Sequence, residues 1–293
     1  MEKRVLFRSG WLPWLLIAPQ MAVILVFFFW PASQAILQSM QAEDAFGTST
    51  TFVGLENFKT LFDDPAYIES FKVTAIFSIL VAGIGIALAM LLAIFADRIL
   101  RGALVYKTFL IIPYAVAPAI AGVLWVFMFS PSIGLVTYYL RFLGVDWNHF
   151  LNSNQALTLI VAASVWKQIS YNFLFFLAGL QSIPKALIEA ASIDGAGPLR
   201  RFFDIQFPLL SPTTFFLLVM NVVYAFFDTF AIVHATTEGG PGRDTSILVY
   251  KVWHDGFKAL DLGGSAAQSV VLMVIVIALT VIQFRYVEKK VQY

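Results

Sequence analysis

The chain has 293 residues, of which 59% are hydrophobic and only 13% are charged, and its formal net charge is +1. About a quarter of the residues of a soluble globular domain are charged, so this composition excludes such a domain and predicts an all-α polytopic membrane protein. Cysteine is absent, which excludes a disulfide framework and a thiolate metal site. The histidines lack ligand spacing and we predict no metal site; they are His149, His234 and His254.

Six long stretches carry almost no charge, and each has about the 20 residues that a helix needs to cross a bilayer. These stretches cover residues 11–30, 73–96, 108–129, 156–180, 213–233 and 265–284. We therefore predict six transmembrane helices in a single transmembrane domain that spans residues 1–293. The third stretch contains Pro113 and Pro118, which we expect the membrane to tolerate within one span, because neighbouring helices can satisfy the freed carbonyls.

The first stretch follows three basic residues, a pattern that a cleaved signal peptide shares; they are Lys3, Arg4 and Arg8. The hydrophobic region of a signal peptide has about 7–15 residues, whereas this apolar run is longer. We therefore expect a retained first span. Residues 31–69 are polar and acidic, and we expect them to form a loop.

Lysine and arginine are distributed unevenly across the membrane. Twelve of them fall in the two tails and the loops on the same side, and six fall in the loops on the other side. Cytoplasmic loops carry the excess of basic residues, so both termini are predicted to be cytoplasmic. This orientation also places the polar segment 181–212 in the cytoplasm.

Residues 181–212, which we call the docking segment, are too polar to cross a membrane and too regular for a slack linker. Ser182 can cap a helix whose first turn contains Pro184, and Gly195 can end that helix. A second short helix is expected from Leu199 until Pro208 stops it. The spacing predicts a helix–turn–helix; an amphipathic loop lying on the membrane surface is the alternative.

This segment resembles the EAA loop of ABC-importer permeases. The positions that match the motif are Glu189, Ala190, Ala191, Asp194, Gly195, Ile205 and Pro208. One departure is Phe207, which stands where the family more often has leucine, a conservative apolar change. The resemblance implies that residues 181–212 dock onto a separate ATPase subunit.

Several further phrases look like the carbohydrate-uptake branch of these permeases. They are PYAVAP at 113–118, the run from Ser164 to Gly197, EGGPG at 238–242 and the run from Ser265 to Lys290. Within this branch the chain is most similar to the first permease subunits of sn-glycerol-3-phosphate importers, through FRSGWLPWLLIAPQ at 7–20, GLENF at 54–58 and YAFFDTF at 224–230.

The resemblance implies a type I ABC-importer (MetI-like) permease fold in the bacterial cytoplasmic (inner) membrane. It implies a second permease subunit as heterodimer partner, two ATPase subunits that bind ATP and Mg, and an extracytoplasmic solute-binding protein. The surroundings are the lipid bilayer, and we expect no nucleic acid partner.

Two charged residues lie within the predicted spans, where a charge costs about 2.5–3.5 kcal/mol on insertion scales. They are Lys167 and Asp228. One interpretation is a translocation cavity lined by Lys167, Gln168, Tyr171, Asn172, Asn221, Tyr224 and Asp228. The other is structural: Lys167 pairs with a neighbouring carbonyl or carboxylate and holds helices together, and Asp228 has a structural or interfacial role nearer to water.

The sequence contains no Gly-x-x-x-x-Gly-Lys-Ser/Thr motif and no recognisable catalytic arrangement. We therefore predict that the chain is not an enzyme and holds no cofactor, and the resemblance implies a permease subunit of an importer of sn-glycerol-3-phosphate and its phosphodiesters. An importer of a neutral sugar or oligosaccharide is the first alternative. An ion-coupled secondary transporter or channel and a membrane-embedded enzyme are alternatives from other classes.

Overall fold

The computed structural model describes residues 11–44, 49–98 and 102–287, and most of them are helical. The α-helices are α1 Leu12–Ile24, α2 Trp30–Gln38, α3 Glu56–Asp63, α4 Pro65–Arg98, α5 Ala103–Ala115, α6 Pro118–Met128, α7 Leu135–Phe142, α8 Ser153–Ser182, α9 Lys185–Ile193, α10 Pro198–Arg201, α11 Phe207–Leu209, α12 Ser211–Val223, α13 Phe230–Thr236, α14 Leu248–Trp253 and α15 Leu262–Ile282. Single π-helical turns are Leu25–Phe29, Phe202–Gln206, Tyr224–Asp228, His254–Lys258 and Gln283–Val287.

A short antiparallel hairpin departs from the all-α prediction. Its strands are β1 Gln41–Glu43 and β2 Thr50–Phe52, with Gln41 opposite Phe52. Threonine and phenylalanine favour strands, which gives β2 a local reason to form.

Among the described residues, five helical stretches are long and apolar enough to cross a membrane, and they overlap five of the six expected spans. They run over Leu12–Gln38, Pro65–Asp97, Ser153–Ser182, Ser211–Asp228 and Leu262–Arg285. The sixth candidate is a pair of helices, α5 and α6, that meet at an angle of 103°.

The third expected span, 108–129, is therefore not one helix, contrary to our expectation. Val116 and Ala117 between the two helices are extended, with ψ angles of 130° and 140°. A residue before proline is disfavoured in helical conformation, and Pro118 has no N–H to continue the helical hydrogen bonds. Pro113, by contrast, lies inside α5 without ending it.

Contacts divide the chain into two compact units, residues 1–63 with 252–271 and residues 64–251 with 272–293. In the first unit, α1 and α2 run on through a π-helical turn, so the helix continues beyond the expected end of the span at residue 30. The Asn57 side chain donates to the backbone oxygens of Ser39 and Gln41, at 3.0 and 2.9 Å, and holds α3 against the end of α2. Among the described residues, none of α1 is buried.

The second unit is built around α8, whose side chains are the most buried of the candidate spans. Small residues of α4 recur every three or four positions and pack against large residues of α8. The resulting core contains Ala89, Ala93 and Ala96 from α4, Phe173, Phe176, Leu177 and Leu180 from α8, and Leu210 and Leu217. The same helix also carries the buried polar residues Ser164, Lys167, Gln168, Ser170 and Asn172.

The segment between the third and fourth expected spans contains helix α7 and a buried histidine, His149. His149 is 1% exposed, and its Nδ1 accepts a hydrogen bond from Trp147 Nε1 at 3.3 Å. Burial lowers the pKa of His149, because the interior disfavours its charged form. The side chain therefore belongs to the packing of this loop.

Candidate translocation cavity and docking segment

A cavity of about 300 Å³ opens where α8 meets the α5–α6 break and the end of α12. Its lining consists of Tyr114, Pro118, Lys167, Gln168, Tyr171, Met220, Val223, Tyr224 and Asp228. The volume lies at the lower end of the range of ligand pockets, about 300–1,000 Å³. Five of the seven side chains expected to line a path are therefore brought together, three from α8 and two from the π-helical turn that continues α12.

Lys167 is the fifteenth of the 30 residues of α8 and is 9% exposed. Its Nζ donates to the backbone oxygens of Val116, at 2.8 Å, and Tyr114, at 3.2 Å. In an unbroken helix the oxygen of Tyr114 would accept from residue 118, which is a proline without an N–H. The ammonium group thus replaces the donors that are lost at the α5–α6 break.

Lys167 combines contacts between structural elements with a place in the lining of the cavity. The side chain binds α8 to the break, as the structural interpretation expected, and it also lines the cavity. The ring of Tyr114 adds a cation–π contact, with the centroid 5.6 Å from Nζ, and stacks on Tyr171 at 6.0 Å between centroids.

Asp228 ends the π-helical turn Tyr224–Asp228 and is exposed at the cavity. Within the described part of the chain its carboxylate forms no hydrogen bond and no ion pair. At the start of the same turn, Tyr224 is buried and its hydroxyl donates to the backbone oxygen of Ser164 at 3.3 Å. At this turn the Tyr224 hydroxyl is therefore held by a hydrogen bond, whereas the Asp228 carboxylate forms no hydrogen bond or ion pair with the described residues.

Asn172 and Asn221 do not line the cavity, contrary to our expectation. Both are 0% exposed, and each amide donates to the other, at 3.1 and 2.7 Å. Asn221 also donates to the oxygen of Leu217. Gly85 of α4 lies against the pair, where a Cβ would come within 3.5 Å of the Asn172 amide nitrogen. These residues join α8 to α12, because buried amides need partners and find them in each other.

Four lining residues were not among the expected ones: Tyr114, Pro118, Met220 and Val223. Met220 and Val223 carry no polar signal that distinguishes them from residues facing lipid. Tyr114 had a signal, because it precedes Pro118 by four residues and its carbonyl was bound to lose a helical partner.

In the docking segment, α9 ends where the sequence indicated. Gly195 has φ +80°, a left-handed conformation that costs other residues energy. The N–H of Ala196 donates to the oxygen of Ala191 at 2.9 Å, and the N–H of Gly195 donates to that of Ser192 at 3.2 Å. These two bonds form a Schellman motif, which satisfies the last carbonyls of α9.

Two expected helix signals act differently. Ser182 does not cap α9: its Oγ donates to the oxygen of Gly179 at the end of α8, and α9 follows the extended residue Pro184. Pro208 does not stop the second helix, since the chain stays helical through Leu209. The π-helical turn before Pro208 places it in the first turn of α11, where a missing N–H costs nothing.

The matched motif positions are distributed over the surface of this segment. Exposed positions are Glu189, Ala190, Asp194 and Gly195, and partly buried ones are Ala191, Ile205 and Pro208. Two large apolar side chains flank the turn and are strongly exposed, Ile193 at 87% and Leu199 at 76%. A hydrogen bond between Arg201 and Ser192 ties the two helices together. The result is a compact knob with an apolar tip.

The chain belongs to the family of binding-protein-dependent transport system inner membrane components, whose model matches residues 79–293. It is a multi-pass membrane protein of the ABC-importer permease fold.

Similar proteins point to one branch of this family. The chain is 62% identical over 289 residues to the sn-glycerol-3-phosphate transport system permease protein UgpA of Agrobacterium fabrum, with 99% of both chains covered. It is 58% identical over 292 residues to the protein of that name from Pectobacterium atrosepticum, covering 100% of this chain and 99% of the other. A chain from the crystal structure of a bacterial alginate ABC transporter in complex with alginate pentasaccharide-bound periplasmic protein shares the fold, with a TM-score of 0.80 at 22% identity and coverage of 93% and 92%.

Proposed function

We propose that this chain is one transmembrane subunit of an ATP-driven importer of sn-glycerol-3-phosphate and its glycerophosphodiesters. The observation that carries the proposal is the position of Lys167, a cation in the middle of a spanning helix that lines a cavity large enough for a small solute. A charge at that depth is costly and is kept where it serves a pathway. The names of the relatives at 58–62% identity support the choice of solute.

The partners follow from the same assignment. A second permease subunit forms a heterodimer with this chain, two ATPase subunits bind ATP and Mg, and an extracytoplasmic solute-binding protein delivers the solute. The apolar tip at Ile193 and Leu199 supports docking of residues 181–212 onto an ATPase, because large apolar residues at an exposed turn favour a protein partner. The chain itself supplies neither an ATPase site nor a cofactor.

The orientation in this proposal has both termini and the docking segment in the cytoplasm of a bacterium, with the chain in the cytoplasmic (inner) membrane. It counts α5 and α6 together as the third of six crossings. The distribution of twelve basic residues against six supports it.

A neutral sugar or oligosaccharide is the second candidate for the solute. Asp228 lines the same cavity as Lys167, so the formal charges of the described lining cancel. A cavity without net charge does not by itself demand an anion.

The deciding experiment is uptake by the importer reconstituted with its partners into liposomes. We expect ATP-dependent uptake of labelled sn-glycerol-3-phosphate that excess glycerophosphocholine reduces and that maltose and glycerol leave unchanged. Uptake of a neutral sugar in its place would keep the architecture and exclude the phosphate solute. Uptake that persists without ATP or the ATPase would favour an ion-coupled transporter.

Docking through residues 181–212 has its own test. Reversing the charge of the exposed Glu189 with Glu189→Lys should leave membrane insertion intact and weaken co-purification of the ATPase by about tenfold or more, because charge complementarity sets partner choice. Asp146→Lys, at an exposed position outside the segment, is the matched control. Unchanged ATPase binding and uptake in Glu189→Lys would exclude a role for this residue in docking.

A further inference from the structure

The hydrogen-bonding capacity of Lys167 is only partly used. A lysine ammonium has three N–H donors and no acceptor. Two donors of Lys167 go to the oxygens of Tyr114 and Val116, which the helix break leaves without helical partners. One donor therefore remains for the cavity, on a side chain whose position is already fixed by the other two.

The turn Tyr224–Asp228 presents the opposite chemistry to the same cavity. The ionised carboxylate of Asp228 accepts hydrogen bonds and donates none; within the described chain it forms no hydrogen bond and no ion pair, although the charge of Lys167 in the same lining acts on it. The hydroxyl of Tyr224 already donates its proton to the backbone oxygen of Ser164, so it too can only accept a hydrogen bond from a solute. The cavity thus has a donor on α8 and acceptors on this turn.

We infer that Asp228 is the specificity-determining residue of this cavity: with the phosphate held at Lys167, its carboxylate accepts hydrogen bonds from the glycerol hydroxyls and rejects solutes that are anionic at both ends. The inference rests on the proposed function and adds the orientation of the solute. A solute with one anionic end and hydroxyl donors matches both sides of the cavity. A second carboxylate would bring like charges together at Asp228, which is strongly unfavourable away from bulk water.

Two compounds of almost the same shape distinguish a solute with one anionic end from a solute with two. In sn-glycerol-3-phosphate the end remote from the phosphate is a hydroxymethyl group, whereas in 3-phosphoglycerate it is a carboxylate. Discrimination between them must be measured without the solute-binding protein, which could impose a selectivity of its own.

The absence of cysteine from the chain makes that measurement direct. Val223→Cys places one thiol in the lining of the cavity, and a solute that occupies the cavity slows its modification by a maleimide. The intact importer, with its second permease and ATPase subunits, is labelled in lipid nanodiscs, and the labelled band of this chain is quantified at increasing concentrations of each compound.

With Asp228 present, we expect half-protection by 3-phosphoglycerate to require a concentration at least about tenfold higher than that of sn-glycerol-3-phosphate. In Asp228→Asn, which keeps the shape and removes the charge, the two concentrations should differ by less than about threefold. Asp228→Glu keeps the charge and should keep the discrimination. Asp146→Asn removes the same charge from an exposed loop position and should change nothing.

The outcomes that contradict the inference differ from those that contradict the proposed function. Protection by sn-glycerol-3-phosphate with the same ratio in Asp228→Asn would overturn the role of Asp228 and leave the transport function standing. Uptake of sn-glycerol-3-phosphate without any protection of the thiol would show that the solute bypasses this cavity. Protection by maltose alone would overturn the phosphate solute and the inference with it.

Discussion

The cavity region and the docking segment both contain hydrogen-bonded polar side chains, but the sequence separation between the bonded residues differs greatly. In the cavity region, hydrogen bonds join residues far apart in the chain: Lys167 reaches Tyr114 across 53 positions, and Asn172 reaches Asn221 across 49. In the docking segment, Arg201 reaches Ser192 across nine positions and Arg200 reaches Asp204 across four.

This difference follows from solvent. A polar group buried among spans has no water to bind, so it requires a partner within the protein, and the loss of that partner costs the full desolvation energy. The exposed groups of the docking segment can exchange their protein partners for water. Substitutions in the two regions should therefore form a graded series in stability, and the series tests the comparison.

The largest effect is expected from Lys167→Met. Methionine is unbranched and only one atom shorter than lysine, but it leaves the oxygens of Tyr114 and Val116 without their shared donor. The unpaired carbonyls should outweigh the relief of a buried charge, and we expect a loss of about 2 kcal/mol in the free energy of unfolding. Unfolding of the purified chain by SDS in mixed micelles measures it.

Lys167→Arg is the matched control, since its guanidinium retains the charge and several donors. We expect it to recover most of the lost stability, whereas a Met variant as stable as the original chain would show that the break needs no external donor. Uptake should fall in both variants, because the geometry of the donor that faces the cavity changes in each.

A smaller effect is expected from separating the buried amides. Asn172→Leu leaves Asn221 with only the Leu217 oxygen as a partner, and the cost should be about 1–2 kcal/mol. The double variant Asn172→Leu/Asn221→Leu removes both amides and should be more stable than the sum of the single losses predicts. Strict additivity in this double-mutant cycle would mean that the two amides do not depend on each other.

The same contrast explains which features could be predicted from the sequence. The end of α9 at Gly195 was predictable, because a Schellman motif depends on a few consecutive residues. Lys167 was recognisable as exceptional from its position in an apolar run. Its partners were harder to predict, because they are backbone oxygens at the α5–α6 break, and only that of Tyr114, four residues before Pro118, carries a signal in the sequence.

The errors have the same origin. Asn172 and Asn221 were placed with the lining residues because all are polar and lie on spans, and polarity alone does not tell which face of a helix meets another helix. Pro118 was expected to be tolerated within one span, whereas together with the extended Ala117 it turns the chain by 103°. Ser182 was expected to cap a helix and Pro208 to stop one, from their immediate neighbours in the sequence. In the structure, α8 continues through Ser182 and a π-helical turn precedes Pro208.

The third effect lies in the docking segment and depends on one backbone angle. Gly195→Ala forces a Cβ onto a residue with φ +80°, and we expect a loss of about 1 kcal/mol. Gly197→Ala is the matched control: Gly197 has φ −67°, and no atom lies within 4 Å of the position that its Cβ would take. Circular dichroism and SDS unfolding give the free energy of unfolding of each variant, and the difference between them is the cost of the left-handed backbone angle. Equal stability of both variants would show that the turn at Gly195 is not required.

The smallest effect is expected from the ion pair between Arg200 and Asp204, whose atoms Nε and Oδ2 are 3.2 Å apart. The two side chains are 77% and 61% exposed, so water and salt screen the pair. Arg200→Ala should change the free energy of unfolding by less than about 0.5 kcal/mol, and Asp204→Ala should do the same. A loss of more than about 1 kcal/mol in either variant would contradict the comparison, because it would mean that this exposed pair is as important to stability as a bond among the spans.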